Sequence, residues 1–158
     1  MSESQMGSRE YCKKHNLDQD RLKKMVIAKW KQGGNDTPVK VVPANAGTGY
    51  SKTIQGYITT RGWILGHTPE EMERLLGLPI GSLGAGAIVM QLARIPTKDE
   101  FEMRGYTNCP DGKPYDGGCF PVGRGVSQWQ LTSPIPTHAA YAAVRPGDRY
   151  KPCGKAAY

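Results

Sequence analysis

Val122-Gly123-Arg124-Gly125-Val126-Ser127-Gln128-Trp129-Gln130-Leu131 opens as a Gly/Arg turn and passes into an alternating polar/apolar run that ends at Thr132-Ser133-Pro134. Alternation with period two is the mark of a strand with one face covered. The stretch therefore reads as a loop feeding an edge-like strand over 125–131, with Gln128 and Gln130 on one face. A second strand is introduced by Gly56, over Gly56-Tyr57-Ile58-Thr59-Thr60-Arg61-Gly62-Trp63. It offers hydroxyls, a guanidinium and aromatic faces. The two strands are expected to line opposite walls of one nucleotide cleft, with a guanidinium in reach.

Other elements follow from shorter patterns. Leu22, Val26 and Trp30 recur at four-residue spacing beside Met25, which predicts a helix over 17–31 that stops at Gly33-Gly34-Asn35-Asp36. Residues 39–42 and 55–60 read as strands by β-propensity, and 44–51 as a small-residue loop. Thr68-Pro69-Glu70-Glu71 is the sharpest local signal. Thr68 caps, Pro69 fits the first helical position, Glu71 completes a capping box, and Gly77 with Pro79 stops the helix. Residues 81–86 read as a flexible hinge, and 87–95 as a strand with Ile88, Met90 and Leu92 on one face. Residues 106–121 read as a loop, and the basic tail 139–158 as weakly structured. The expected fold is α+β, a small, mostly antiparallel split β core with peripheral helices. A leader and basic helix (1–36) precede the catalytic domain (37–158).

Composition narrows the function classes. A formal charge of +7 over 158 residues either serves solubility alone or favours an anionic partner: a nucleotide, RNA, a membrane surface or an acidic protein. No apolar run is long enough to span a bilayer, and 1–9 is polar, without the apolar stretch of a signal peptide. Cys12, Cys109, Cys119 and Cys153 form no C-x-x-C pair, although Cys109 and Cys119 flank one loop and are spaced for a local disulfide. His15, His67 and His138 are scattered, so no metal motif is formed and none is expected. P-loop, dinucleotide-fold and G-x-S-x-G signatures are missing. A ribonuclease would use His67 or His138 as base and Arg61, Arg124 or Lys52 on phosphate. A non-catalytic nucleic-acid-binding module would use Lys13, Lys14, Arg21, Lys23, Lys24, Lys29 and Lys31.

Cleavage of the nicotinamide–ribose bond needs a different set of groups. The transition state carries positive charge on the ribose, and nicotinamide departs as a neutral base. The protein must hold the phosphates, orient the ribose and wall the planar ring. The sequence offers Arg61 for phosphate, Thr59 and Thr60 for ribose hydroxyls, and Tyr57, Trp63 or Trp129 as aromatic walls. Gln128 and Gln130 stand for the scissile bond, and Arg124 gates the cleft. By this reading Gln128→Ala abolishes turnover and leaves the melting temperature nearly unchanged.

Gly-Tyr-Ile-Thr-Thr at 56–60, Thr-Pro-Glu-Glu-Met-Glu-Arg-Leu-Leu-Gly-Leu-Pro at 68–79, Ile-Val-Met-Gln-Leu-Ala-Arg-Ile-Pro at 88–96 and Gly-Arg-Gly-Val-Ser-Gln-Trp-Gln-Leu at 123–131 come in an order that resembles the C-terminal toxin domains of bacterial polymorphic toxins. Over 39–136 the chain is most similar to the NAD-consuming domains of ADP-ribosyltransferase-like fold, including the tuberculosis necrotizing toxin type. The resemblance implies NAD as substrate with no bound cofactor, and delivery by a secretion system into a target cell. It also implies a cognate immunity protein that blocks the cleft. Thr59 and Thr60 match the ribose-supporting strand, and Gln128 or Gln130 matches the group at the scissile bond. Transferases of this kind carry Q/E-x-E, whereas Gln128-Trp129-Gln130 lacks the final carboxylate. Hydrolysis is thereby favoured over transfer of ADP-ribose to a protein or nucleic acid. The family's early-strand Arg or His is also missing, since Val39-Lys40-Val41-Val42 offers only Lys40 and leaves Arg61 to substitute.

Overall fold

A computed structural model describes residues 19–45, 52–102, 126 and 128–152. Helix α1 (Gln19–Lys31) runs into a short 3-10 turn at Gly34–Asp36 and then strand β1 (Pro38–Pro43). Strand β2 (Thr53–Thr60) passes directly into the one-turn helix α2 (Arg61–Ile64). Helix α3 (Pro69–Leu76) follows, then β3 (Ala87–Leu92), the two-residue β4 (Phe101–Glu102) and the long β5 (Trp129–Val144).

Every strand pairing is antiparallel. The order is β2-β1-β3-β5-β4, and β2 also pairs with β5, so four strands close into a barrel-like core. The α+β mix with a small antiparallel core agrees with expectation. Closure depends on the length of β5. Its first half pairs with β2, from Ile58↔Trp129 to Thr53↔Pro136, and its second half with β3, from Leu92↔Thr137 to Ala87↔Val144. Sequence patterning ends this strand at Leu131 and leaves 139–158 weakly structured. Instead the strand continues to Val144, and Tyr150 beyond it is buried, its amide donating to the His67 carbonyl at 2.9 Å.

Alternation along β3 serves two cores. Ile88, Met90 and Leu92 pack with Val42, Ile54, Ile58, Phe101, Leu131, Ile135 and Trp30. Ala87 and Val89 pack on the other face with Val39, Ile64, Met72, Leu76, Leu83 and Val144. The one-faced strand expected at 87–95 is therefore buried on both sides, and all six of its residues are inaccessible. Helix α1 belongs to the same packed body as the strands. Its Trp30 is 1% exposed, with Phe101 at 4.8 Å and Trp129 edge-on at 5.2 Å between ring centroids. Lys23, part of the basic cluster in sequence, is also buried. It donates to the Lys98 carbonyl and lies over the Phe101 ring, so this cation is not on a solvated face.

Helix α3 starts and stops where its sequence dictates. Thr68 Oγ1 accepts from Glu71 N, Glu71 Oε1 accepts from Thr68 N, and Gly77 closes the helix in the left-handed conformation. The turns over 81–86, expected to be a hinge, are tied down. The buried Glu73 carboxylate accepts from Gly81 N at 3.0 Å and Leu83 N at 2.7 Å.

The connection from β3 to β4 is held by a two-pronged ion pair. Arg94 donates two 2.7 Å bonds to Glu100, which also accepts from Thr97 N. Hydrogen bonding from Arg94, then from the Thr97 amide, holds the Glu100 carboxyl at about 2, down from 4.5. A carboxylate depressed on folding stabilises the native state above its ordinary pKa. That contribution disappears as pH falls from about 4.5 towards 2. Arg94→Ala is expected to cost about 1 kcal/mol at neutral pH, because solvent screens this exposed pair. The gap in melting temperature from the parent should narrow as pH falls below about 4.5 and close near pH 2, as thermal scans across pH would show.

Candidate functional site

A cavity of about 500 Å³ opens where α1, the 3-10 turn, the junction of β2 with α2, and the start of β5 meet. All three tryptophans of the chain, Trp30, Trp63 and Trp129, contribute to its wall. Thr60, Asn35, Asp36 and Lys29 supply polar groups, and Val26 and Gly62 complete the lining. The size suits one nucleoside-sized ligand.

Each wall has a local cause. Thr60 ends β2 on the same face as Ile58, because side chains alternate along a strand. Trp129 stands opposite Ile58 in register and so joins that face. Helix α2 begins at once and lifts Trp63, 44% exposed, over the opening. The 3-10 turn is drawn against α2 by the Arg61 amide, which donates to the Thr37 carbonyl at 2.9 Å. A Cβ added at Gly62 would lie 3.0 Å from Asn35 Cβ, so a bare glycine lets Asn35 and Asp36 reach the cavity. Lys29 Nζ lies 4.0 Å from Asp36 Oδ1, which gives the rim one cation beside one carboxylate. The Trp30 indole N–H is buried without a partner among the described residues.

Residues singled out by sequence divide between this cavity and other places. Thr60, Trp63 and Trp129 come together in it. Tyr57 stands opposite Gln130, on the face of β2 away from Ile58, and Thr59 shares that face. The two strands are hydrogen-bonded neighbours rather than opposite walls of a cleft, because β2 and β5 pair to close the barrel. Gln128 is 5% exposed and donates to the Leu76 carbonyl at the end of α3. Gln130 pairs with both Tyr57 and Glu102 in register. Neither glutamine lines the cavity.

Arg61, expected on a pyrophosphate, is 7% exposed, and its terminal nitrogen donates to Gln91 Oε1 at 3.2 Å. Alternation at the end of β2 sends it away from Thr60 and into the core side of α2, so it is no surface phosphate ligand. Lys40 is also committed: its ammonium donates to the Tyr57 carbonyl, and burial lowers its pKa. Arg124, Cys109 and Cys119 lie outside the described residues. His67 Nδ1 is 3.5 Å from Glu71 Oε1, which Arg149 approaches at 3.3 Å, while His138 sits apart on β5.

Sequence reasoning missed Asp36, Asn35 and Trp30, and placed Lys29 only in the basic cluster of a nucleic-acid-binding module. Asn35 and Asp36 read as helix-stopping residues, and Trp30 as one apolar residue of a helical stripe. Only Trp30 carried a usable signal, since a tryptophan on a short helix beside a strand tryptophan suggests shared packing. Among the described residues no three His, Cys, Asp or Glu side chains gather as a metal-ligand group. No described helix is long and apolar enough to cross a membrane.

The burial of Gln128 changes what its removal should do. Gln128→Ala leaves the Leu76 carbonyl unsatisfied in a buried place, at about 1–3 kcal/mol. Its melting temperature should fall by several degrees, where the sequence alone suggests no change. Calorimetry on the purified variant checks this.

No family model, no curated protein and no solved structure matches the chain.

Proposed function

We propose that this chain is a toxin domain that hydrolyses NAD, releasing nicotinamide from a dinucleotide whose nicotinamide-ribose half is seated in the tryptophan-walled cavity. The observation that carries the reading is the convergence of Trp30, Trp63 and Trp129 with one carboxylate, Asp36, and one cation, Lys29, around a nucleoside-sized space. A planar ring stacks on indole faces at about 1–3 kcal/mol per base. Thr60 and Asn35 supply hydrogen bonds for ribose hydroxyls or the carboxamide. Lys29 attracts a phosphate at the rim.

In this reading the C1′–N1 bond breaks and its electron pair leaves with neutral nicotinamide. The ribose becomes oxocarbenium-like, and the Asp36 carboxylate stabilises that positive charge. Water adds at C1′ and loses a proton to give ADP-ribose. Asp36 takes the part that the sequence assigned to Gln128. The resemblance to NAD-consuming polymorphic-toxin domains supports the same chemistry. It also brings the ADP-ribosyltransferase-like fold, delivery by a secretion system and a cognate immunity protein into the proposal.

The test is nicotinamide release from NAD by the purified chain. Trp63→Ala should raise the NAD KM by roughly tenfold, since one stacking face is lost. Its melting temperature should stay within about 2 °C, because an exposed side chain stabilises little. Absence of nicotinamide release would end the reading. ADP-ribose attached to an acceptor would turn it into a transferase. Specific RNA cuts with intact NAD would favour a ribonuclease acting through His67, whose ring lies beside the Glu71 carboxylate.

A further inference from the structure

A second, much smaller cavity lies against the other side of the β2–α2 junction. It is lined by Arg61, Gln91, Val39, Val89, Tyr141 and Tyr150, together with Ala142, and its volume of about 10 Å³ admits one water-sized occupant. Arg61 and Gln91 are each 7% exposed. Their one mutual bond runs from the guanidinium to Gln91 Oε1. Arginine only donates, so Gln91 must present its oxygen to it and turn its amide nitrogen elsewhere. Both Arg61 Nε and Gln91 Nε2 are then buried donors without an acceptor among the described residues.

The charge is equally unanswered. No carboxylate lies within ion-pair distance of Arg61 among the described residues. The buried Glu73 carboxylate is engaged elsewhere, with the amides of Gly81 and Leu83. Burial cannot neutralise a guanidinium, because arginine keeps its proton in proteins. A water molecule would accept from the two orphan donors but would leave the charge uncompensated. A monatomic anion would answer both the orphan donors and the charge while making the least demand on this small space.

We propose that the Arg61–Gln91 cavity is a binding site for a monatomic anion of chloride size, which receives both orphan donors and pairs the buried guanidinium. The site is independent of the NAD reading, and its test contains no nucleotide.

Thermal unfolding of the whole chain in sodium chloride and in sodium gluconate, at equal ionic strength, reads the site out. Gluconate is too large to enter. The parent should melt about 5 °C higher in chloride, with a rise that saturates. Gln91→Glu keeps the side-chain size and sets a carboxylate against Arg61, so its melting temperature should not respond to chloride. Equal melting of the parent in both salts, or a full chloride response in Gln91→Glu, would overturn the proposal. If that variant does not fold, crystals of the parent grown in bromide decide. An anomalous peak between Arg61 and Gln91 supports the site, and its absence refutes it.

Discussion

Asp36→Asn is expected to lower the rate of nicotinamide release by about 10²–10³-fold, the usual effect of removing one group that stabilises transition-state charge. The substitution preserves shape and leaves the 3-10 turn intact, because the turn is held by backbone bonds from Asp36 N to Gly33 O and Thr37 N to Gly34 O. The Lys29 contact it removes is long, at 4.0 Å, and solvent-facing on the lysine side. Stability should therefore change little. Substrate affinity should also hold, since indole stacking is untouched. A drop in kcat with KM and melting temperature nearly unchanged identifies Asp36 as a group acting on the reacting ribose. A rate equal to the parent's would move the chemistry elsewhere.

Trp30→Ala should be the most destabilising single change, at about 3–5 kcal/mol. Trp30 joins three parts of the fold: its own helix α1, Phe101 of β4 and Trp129 of β5. Alanine would leave a void in the main core and remove the inner wall of the large cavity. Denaturant titration should show the midpoint falling with a nearly constant slope. Trp30→Phe, which refills part of the volume, should recover much of the loss. The place of Trp30 in the cavity wall adds a second readout. Trp30→Phe should bind the dinucleotide more weakly than its recovered stability suggests.

Parts of this fold were legible because their causes are local. Thr68, Pro69, Glu71 and Gly77 specify α3 within ten residues, and the structure reproduces each role. Residues 39–42 and 55–60 carry their β-propensity within themselves, and strands form there at Pro38–Pro43 and Thr53–Thr60. Strand β5 was legible only in its first half. Thr132-Ser133-Pro134 read as a strand end, since proline cannot donate to a ladder, and Pro136 follows two residues later. They instead mark the region where the strand leaves β2 and takes β3 as its partner, with a register shift on each side. There the Pro136 carbonyl accepts from Ala93 N, and no amide is needed from proline.

The candidate site was half legible for a related reason. Alternation in β2 and β5 is visible in sequence, but which face meets the helix is not. Choosing the glutamine face put Gln128 and Gln130 forward. The tryptophan face of the same strand meets α1 and the cavity. Asp36 and Trp63 lie 27 positions apart and come together because Gly62 admits Asn35 at close range. Such an approach depends on the packed backbone and leaves no mark in either segment alone.

The most direct measurement is intrinsic tryptophan fluorescence during titration with NAD, using Asp36→Asn to slow turnover. All three tryptophans border the cavity, so the signal comes from its walls. A saturable change with one NAD bound per chain, weakened about tenfold in Trp63→Ala, is the predicted result. Fluorescence that does not respond to NAD in folded protein, or an affinity unaffected by Trp63→Ala, would contradict it.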